Sequence, residues 1–273
     1  MFEFHKDKSR YFQMQYEVTK EYVIPFLEDH IDLDQPLNVL EIGCAEAGVL
    51  KAFLERGHTC TGIELHEYRV KLAEQFLAKE VAENRINFIC KNIFDIDPDN
   101  DLPAKFDLIL LKDVIEHIHD QAKFMEELNG FLKPNGKVFF GFPPWQMPFG
   151  GHQQICKGKV LSKLPYYHLL PEGIYKSILK MGKEPEGIID ELLEIKETGI
   201  SIERFEGILK NEGYTTHNKK LFLINPIYKY KFNLAPRGQF SLIKSLPGIR
   251  NFLSTCAYYL VSPEPSKMLA PQN

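Results

Sequence analysis

The 273-residue sequence predicts an α/β protein built on a doubly wound, mostly parallel sheet with helices on both faces. Three observations carry this. Short apolar runs alternate with segments of helical apolar spacing along most of the chain. The first run, from Asn38 (NVLEI), enters a helix through a turn of very small residues, Gly43 to Gly48. The second run ends on Glu64, 21 residues beyond Gly43, the distance at which nucleotide-binding sheets of this kind place an acidic residue.

The elements follow in order. Residues 7 to 30 intersperse Tyr11, Phe12, Met14, Tyr16, Val18 and Phe26 with charges, which suits one or two amphipathic helices bent or broken at Pro25. The pivotal strand follows, then a helix over 48–56 stopped by Gly57 and a second strand over 58–65. A helix over 67–82 leads to strand 86–90. After a Pro/Asp-rich loop come strand 106–111, a helical pattern over 114–132, and strand 137–142 beyond the Pro134-Asn135-Gly136 turn. Residues 143–198 change character, rich in Pro, Gly and aromatics, and read as a lid inserted past the carboxyl end of a central strand. Helix 201–211 and strands 216–225 and 253–262 close the fold, with a proline-containing loop between the two strands and a frayed tail from Pro263. Seven strands result. The domain reading is a helical cover over 1–36, a core over 37–142 and 199–273, and the lid over 143–198.

Bulk properties narrow the function. A formal net charge of -4 argues against an electrostatically driven nucleic-acid binder, although Lys157, Lys159 and Lys163 leave room for a local basic patch. Five cysteines without CxxC spacing suggest reduced, mostly buried thiols rather than a disulfide framework or zinc site. No apolar stretch reaches the roughly 18 residues of a membrane span, and the first residues lack a signal-peptide core, so a cytoplasmic location is expected.

Four stretches then occur together: VLEIGCAEAG, GIEL, CKNIFD, and FDLILLKDVIEHI followed by LKPNGKVFFGFPP. In this order they resemble the motifs of class I S-adenosylmethionine-dependent methyltransferases. The resemblance implies a Rossmann-like methyltransferase fold whose last strand inserts antiparallel, S-adenosyl-L-methionine as cofactor and S-adenosyl-L-homocysteine as product. It also implies roles. Glu41 would hold the amino group of the cofactor, Gly43 and Ala45 would leave it room, and Glu64 would take its ribose hydroxyls. Leu65 and Ile93 would flank the adenine, Asn92 would bond its amino group, and Lys112 and Asp113 would lie near the methionine part. Tyr11 or Tyr16 would close over the top. The family's glycines are replaced here by Ala45 and Ala47, and each alanine is expected to keep an ordinary negative φ.

The implied reaction is in-line transfer of methyl to a small-molecule acceptor, at oxygen rather than nitrogen or carbon. A hydroxyl acceptor must lose a proton, and His117 and His152 are the candidate bases beside Asp113. The competing reading of His117 is a helix residue hydrogen-bonded beneath the site, and of His152 a loop residue satisfied by backbone. His168 is a further candidate. Trp145 either stacks on an acceptor or is buried in the lid. No metal is expected, because adjacent Glu116 and His117 on a helix point about 100° apart. The partners expected are a small molecule and, at most, a second copy in a homodimer, with no nucleic acid. One alternative is an NAD(P)-binding oxidoreductase, since Gly43-x-Ala45-x-x-Gly48 also fits a dinucleotide fingerprint, but Glu41 and Glu46 set negative charge where pyrophosphate would lie. The other is a catalytically silent cofactor-binding protein.

Overall fold

The near-continuous apolar runs are explained by a sheet buried on both faces. In the first strand Leu40 and Ile42 enter one core and Val39 the other; in the fourth, Ile109 and Leu111 oppose Leu108 and Leu110. The computed structural model describes residues 7–102 and 104–264. Among these residues, eight strands form one sheet: β1 (Asn38–Ile42), β2 (Thr59–Ile63), β3 (Ile86–Ile89), β4 (Phe106–Lys112), β5 (Leu132–Phe142), β6 (Tyr214–Ile224), β7 (Arg237–Gly238) and β8 (Cys256–Pro263). Their order is β3-β2-β1-β4-β5-β8-β6-β7. The first five strands are parallel, and β8 inserts antiparallel between β5 and β6. The fold class stands as expected, with β7 adding a two-residue edge strand in the last long loop.

One face is covered by α1 (Lys8–Val18), α2 (Ile24–Glu28), α3 (Gly48–Leu54), α4 (Glu67–Phe76) and α5 (Ala78–Ala82). A π-helical turn, Thr19–Val23, joins α1 to α2 without a break. Pro25, at the start of α2, lacks the N–H an α-helix needs, and the wider turn before it accommodates the loss. The expected helix over 67–82 divides at Leu77, which is not helical in φ and ψ.

The other face holds α6 (Gln121–Glu127) and, after the lid, α9 (Ile202–Asn211), which bury Phe124, Met125, Phe205 and Leu209. Here a second expectation fails. The pattern over 114–132 is not one helix: Ile115–His117 forms a single 3-10 turn, Ile118 is extended, and Asp120 starts α6 by accepting a hydrogen bond from the Lys123 amide.

The segment over 143–198, expected to be a lid, contains α7 (Glu172–Met181) and α8 (Glu186–Thr198), unread in the sequence, and its own small core of Cys156, Leu161, Tyr167, Tyr175, Leu179, Ile189 and Leu192. The loop between β6 and β8 carries three short helices, α10 (Tyr228–Phe232), α11 (Ser241–Lys244) and α12 (Ile249–Leu253), besides β7. Pro263, expected to begin the frayed tail, pairs with Tyr214 as the end of β8. The tail's residues 265–273 lie outside the described residues, as do 1–6. All five cysteines are free and four are buried.

Candidate active site

The turn after β1 is tighter than its composition suggests. Gly43, Ala45 and Ala47 all take left-handed backbone conformations, with φ of 70°, 48° and 62°. This corrects the expectation that the alanines keep a negative φ. The turn is held from outside: the Ile63 carbonyl accepts from the Gly43 and Cys44 amides at 2.8 and 3.0 Å, and the Glu64 carboxylate accepts from Ala45 N and His66 N, both at 3.0 Å. These bonds offset the cost of placing a Cβ in the left-handed region, on the order of 1–2 kcal/mol per residue. Gly48, which opens α3, has no such freedom, since a Cβ there would lie 2.3 Å from the Phe12 carbonyl oxygen of α1.

That close approach brings α1 over the turn. The Lys8 ammonium pairs with buried Glu46 at 2.8 Å, and a cavity of about 160 Å³ remains beneath. Glu41, Gly43, Ala45, Lys112 and Asp113 line it, with Tyr11, Gln15 and Arg69. Glu41 is only 3% exposed and its Oε2 has no hydrogen-bond partner among the described residues. Burial drives its pKa well above the carboxylate range, against the pull of nearby Lys112, and Glu64 adds to the rise. Lys112 Nζ bonds Asp113 Oδ2 at 2.9 Å. Burial opposes the charged lysine, yet Asp113 holds its pKa raised; burial likewise opposes the Asp113 carboxylate, and Lys112 holds that pKa below the ordinary value.

The remaining residues named for this end lie elsewhere. Glu64 sits behind the turn, each carboxylate oxygen already accepting one amide and able to accept another. Leu65, 61% exposed, Asn92 and Ile93 lie past the tips of β2 and β3 and do not line this cavity. The Asn92 side-chain oxygen accepts from the Phe94 amide. Of the two tyrosines, Tyr11 lines the cavity, while Tyr16 donates to Glu55 at 2.6 Å on the outer side of α3.

A second cavity, about 190 Å³, meets the first at Tyr11 and Asp113. The lid contributes Met147, Phe149, His152 and Ile155, and α10 with the end of β6 contributes Asn225, Tyr228 and Lys231. His152 has a left-handed backbone, φ 53°, after two glycines that no side chain could replace: Cβ atoms there would lie 2.1 Å from Trp145 O and 2.4 Å from His168 Cβ. Its ring stands 5.0 Å from that of His117. Burial, reinforced by His117, pushes the His152 pKa down to about 3, and burial lowers that of His117. Both imidazoles are therefore neutral near pH 7.

The 3-10 turn at 115–117 does what an α-helix would not. Ligating atoms of Glu116, His117 and His152 all lie within 4.8 Å of one another. Both Glu116 carboxylate oxygens are buried without a hydrogen-bond partner among the described residues, and burial raises its pKa well above normal. The helical geometry invoked against a metal site is thus absent.

His168 is buried within the 143–198 segment, and Trp145 is half-buried against it. The His168 ring bonds Trp145 O at 2.8 Å and Gln153 Nε2 at 3.1 Å, and Trp145 packs edge-on against it, 4.7 Å away, and over Gly199. Sequence reasoning missed Lys231, in a stretch read as loop. It lies 5.7 Å over the Tyr11 ring, and burial lowers its pKa to about 8. Its only sequence signal was the Tyr228-Lys-Tyr-Lys-Phe232 run. A larger hollow of about 490 Å³ opens at the amino ends of β1 to β4, around Asn38, Thr59, Arg85 and Phe106, away from all of these groups.

Comparison with known proteins agrees with this geometry. Residues 40–140 match the model of a methyltransferase domain. The chain is 30% identical over 115 residues to a ubiquinone biosynthesis O-methyltransferase of Idiomarina loihiensis, an alignment covering 42% of this chain and 46% of that protein. The chain thus spans about half the length of the curated relatives it matches. In fold it is similar to a putative sarcosine dimethylglycine methyltransferase from Galdieria sulphuraria (TM-score 0.55, 15% identity, 89% of this chain and 83% of that one). It is similar also to the magnesium protoporphyrin IX methyltransferase of Synechocystis PCC 6803 with bound S-adenosylhomocysteine (TM-score 0.52, 12% identity, 92% and 84%). The strand order and the left-handed turn after β1 agree with the match of residues 40–140 to a methyltransferase domain, and over that part the chain is similar to S-adenosylmethionine-dependent methyltransferases.

Proposed function

We propose that the protein methylates an oxygen of a small-molecule acceptor. The observation that carries the reading is the meeting of the two cavities at Tyr11 and Asp113: one suits the cofactor by its charges, the other an acceptor by its mixed lining. The orphaned Glu41 oxygen fits an ammonium group, and the turn of Gly43 and Ala45 gives close access to backbone. Glu41, Gly43, Ala45, Lys112 and Asp113 would hold the methionine part, Glu64 the ribose, and Leu65, Asn92 and Ile93 the adenine. When bound, the cofactor supplies an electrophilic methyl on a sulfonium.

The chain's own residues then align and deprotonate the acceptor. Tyr11 and the lid keep water from the junction, where an unaligned nucleophile would react slowly. The neutral imidazoles of His117 and His152 are the candidate acceptors of the hydroxyl proton, and the Asp113 carboxylate favours an imidazolium at either ring. The O-methyltransferase relatives support oxygen as the acceptor atom. A cytoplasmic location and the absence of a nucleic-acid partner remain part of the proposal, and a homodimer stays open. Among the described residues no helix is long and apolar enough to cross a membrane.

Calorimetry with S-adenosylhomocysteine and with NADH, followed by transfer of labelled methyl into a fractionated metabolite extract, tests this reading. Binding of the first and label in an ether are expected. Binding of NADH alone would return the oxidoreductase alternative, and binding without turnover the silent one.

A second reading has its own observation, the Glu116, His117 and His152 cluster around unpartnered carboxylate oxygens. Two imidazoles and a carboxylate would hold a divalent transition ion, which would polarise the acceptor hydroxyl. Calorimetric titration with Zn²⁺ or Mn²⁺, lost in Glu116→Gln, supports it; equal binding by the variant removes it.

A further inference from the structure

Two stretches of this acidic chain contain no acidic residue at all. Residues 138–171 carry three lysines and residues 213–263 seven Lys or Arg, while all 37 Asp and Glu lie elsewhere. The fold brings the two together. Tyr166 of the lid packs at 6.4 Å on Phe252 of α12, and its hydroxyl donates to the Phe252 carbonyl. Ten of the fifteen large apolar side chains exposed among the described residues also belong to these stretches. Leu242 is 71% exposed, Val160 74%, and Phe240 and Ile249 50% each.

We propose that this face, formed by residues 157–166 of the lid and 232–253 of the β6–β8 loop, docks on an anionic lipid surface. Exposed apolar side chains interspersed with cations on short helices are what an interfacial segment needs. The apolar groups enter the headgroup boundary while the cations meet lipid phosphates. Part of the positive charge is internally used: Arg250 pairs with Glu203 and Glu206, Lys219 with Glu206 and Lys229 with Glu21. Arg237, Lys244, Lys159 and Lys163 stay at the surface, and Arg237 lies 4.6 Å over the Phe240 ring, with charge and apolar ring side by side.

The charge pattern decides between occupants. Two copies of this face would oppose cation to cation across a two-fold axis, which disfavours a homodimer there. Nucleic acid would meet Leu, Ile and Val where it needs polar contacts. A membrane surface satisfies both components. Phe232 and Lys231 of α10 also line the acceptor cavity, so the docked face borders its mouth. The proposal goes beyond the methyl-transfer reading and does not depend on it.

Flotation of the full chain with vesicles of equimolar phosphatidylcholine and phosphatidylglycerol, against phosphatidylcholine alone, tests it. The chain should float with the mixed vesicles at low salt and be released by high salt. Arg237→Glu with Lys244→Glu should weaken binding by roughly tenfold or more, and Leu242→Asp with Ile249→Asp should abolish it. Calorimetry with S-adenosylhomocysteine should give the same heats for these variants as for the parent, which reports that they fold. Failure to float with the mixed vesicles, unaltered flotation of the variants, binding of a DNA or RNA oligonucleotide in place of vesicles, or a dimer dissolved by Leu242→Asp in the absence of vesicle binding would each overturn the proposal.

Discussion

Replacing Glu41 by Gln should move cofactor binding and stability in opposite directions. In the free protein this carboxylate is almost fully buried, one oxygen has no partner among the described residues, and burial raises its pKa. Gln has the same shape without the charge, so the free protein gains about 1 kcal/mol or more, equivalent to roughly 2–4 °C in Tm for a chain of this size. The gain depends on pH with a definite sign. The unfolded chain gives up the Glu41 proton near the ordinary value of 4.5 whereas the folded protein keeps it, so wild-type stability falls as pH rises above that value and the gap to the variant widens. In binding, the ammonium of S-adenosylhomocysteine loses a charge-assisted hydrogen bond, about 1.5–3 kcal/mol, or roughly 10- to 100-fold in affinity. Thermal unfolding over a pH series and calorimetry with S-adenosylhomocysteine read the two effects. If Glu41→Gln lowers Tm and leaves affinity within about threefold of the parent's, the carboxylate is a structural group and its assignment to the cofactor is wrong.

Other perturbations have equally definite outcomes. Ala45→Gly should stabilise by about 0.5–1 kcal/mol, since release of left-handed strain exceeds the added freedom of the unfolded chain; Gly43→Ala should destabilise by about 2 kcal/mol or more, having both φ 70° and a Cβ 2.7 Å from Val114 Cγ2 against it. Denaturant midpoints check both. His152→Ala should lower turnover by about 10²–10⁴ while calorimetric affinity for S-adenosylhomocysteine is retained, and an equal loss of both would make His152 a scaffold residue. Glu203 tests the packing of α12 on α9. Burial raises its pKa, but the Gly248 amide, Asn251 and Arg250 more than offset this and lower it to about 2. Its contribution, about 1–2 kcal/mol after allowing for its partial exposure, is present above pH 4.5 and lost as pH falls towards 2. Acid titration of Glu203→Gln should therefore show a wild-type advantage that closes over that window.

Much of the site was legible because local chemistry fixes it. Apolar runs of strand length, Gly43 to Gly48 as a thin turn, and acids at the tips of β1 and β2 are consequences of neighbours in the chain, and the alternation of elements leaves a parallel sheet as the economical arrangement. The sequence by itself therefore determined the fold class and the position of the thin turn after β1. What only the tertiary structure decided involves residues far apart in the chain. The alanines of the turn are left-handed because Ile63 and Glu64 of the next strand bind the turn's backbone, and composition alone favoured the opposite sign of φ. The apolar spacing over 114–132 is compatible with one helix, but capping by Asp120 and packing against the lid break it, and that break sets His117 beside His152. Lys231 faces Tyr11 across more than two hundred residues, and the two acid-free stretches meet at Tyr166 and Phe252. Periodicity reports which side of an element is buried, not which distant side chain will be found there.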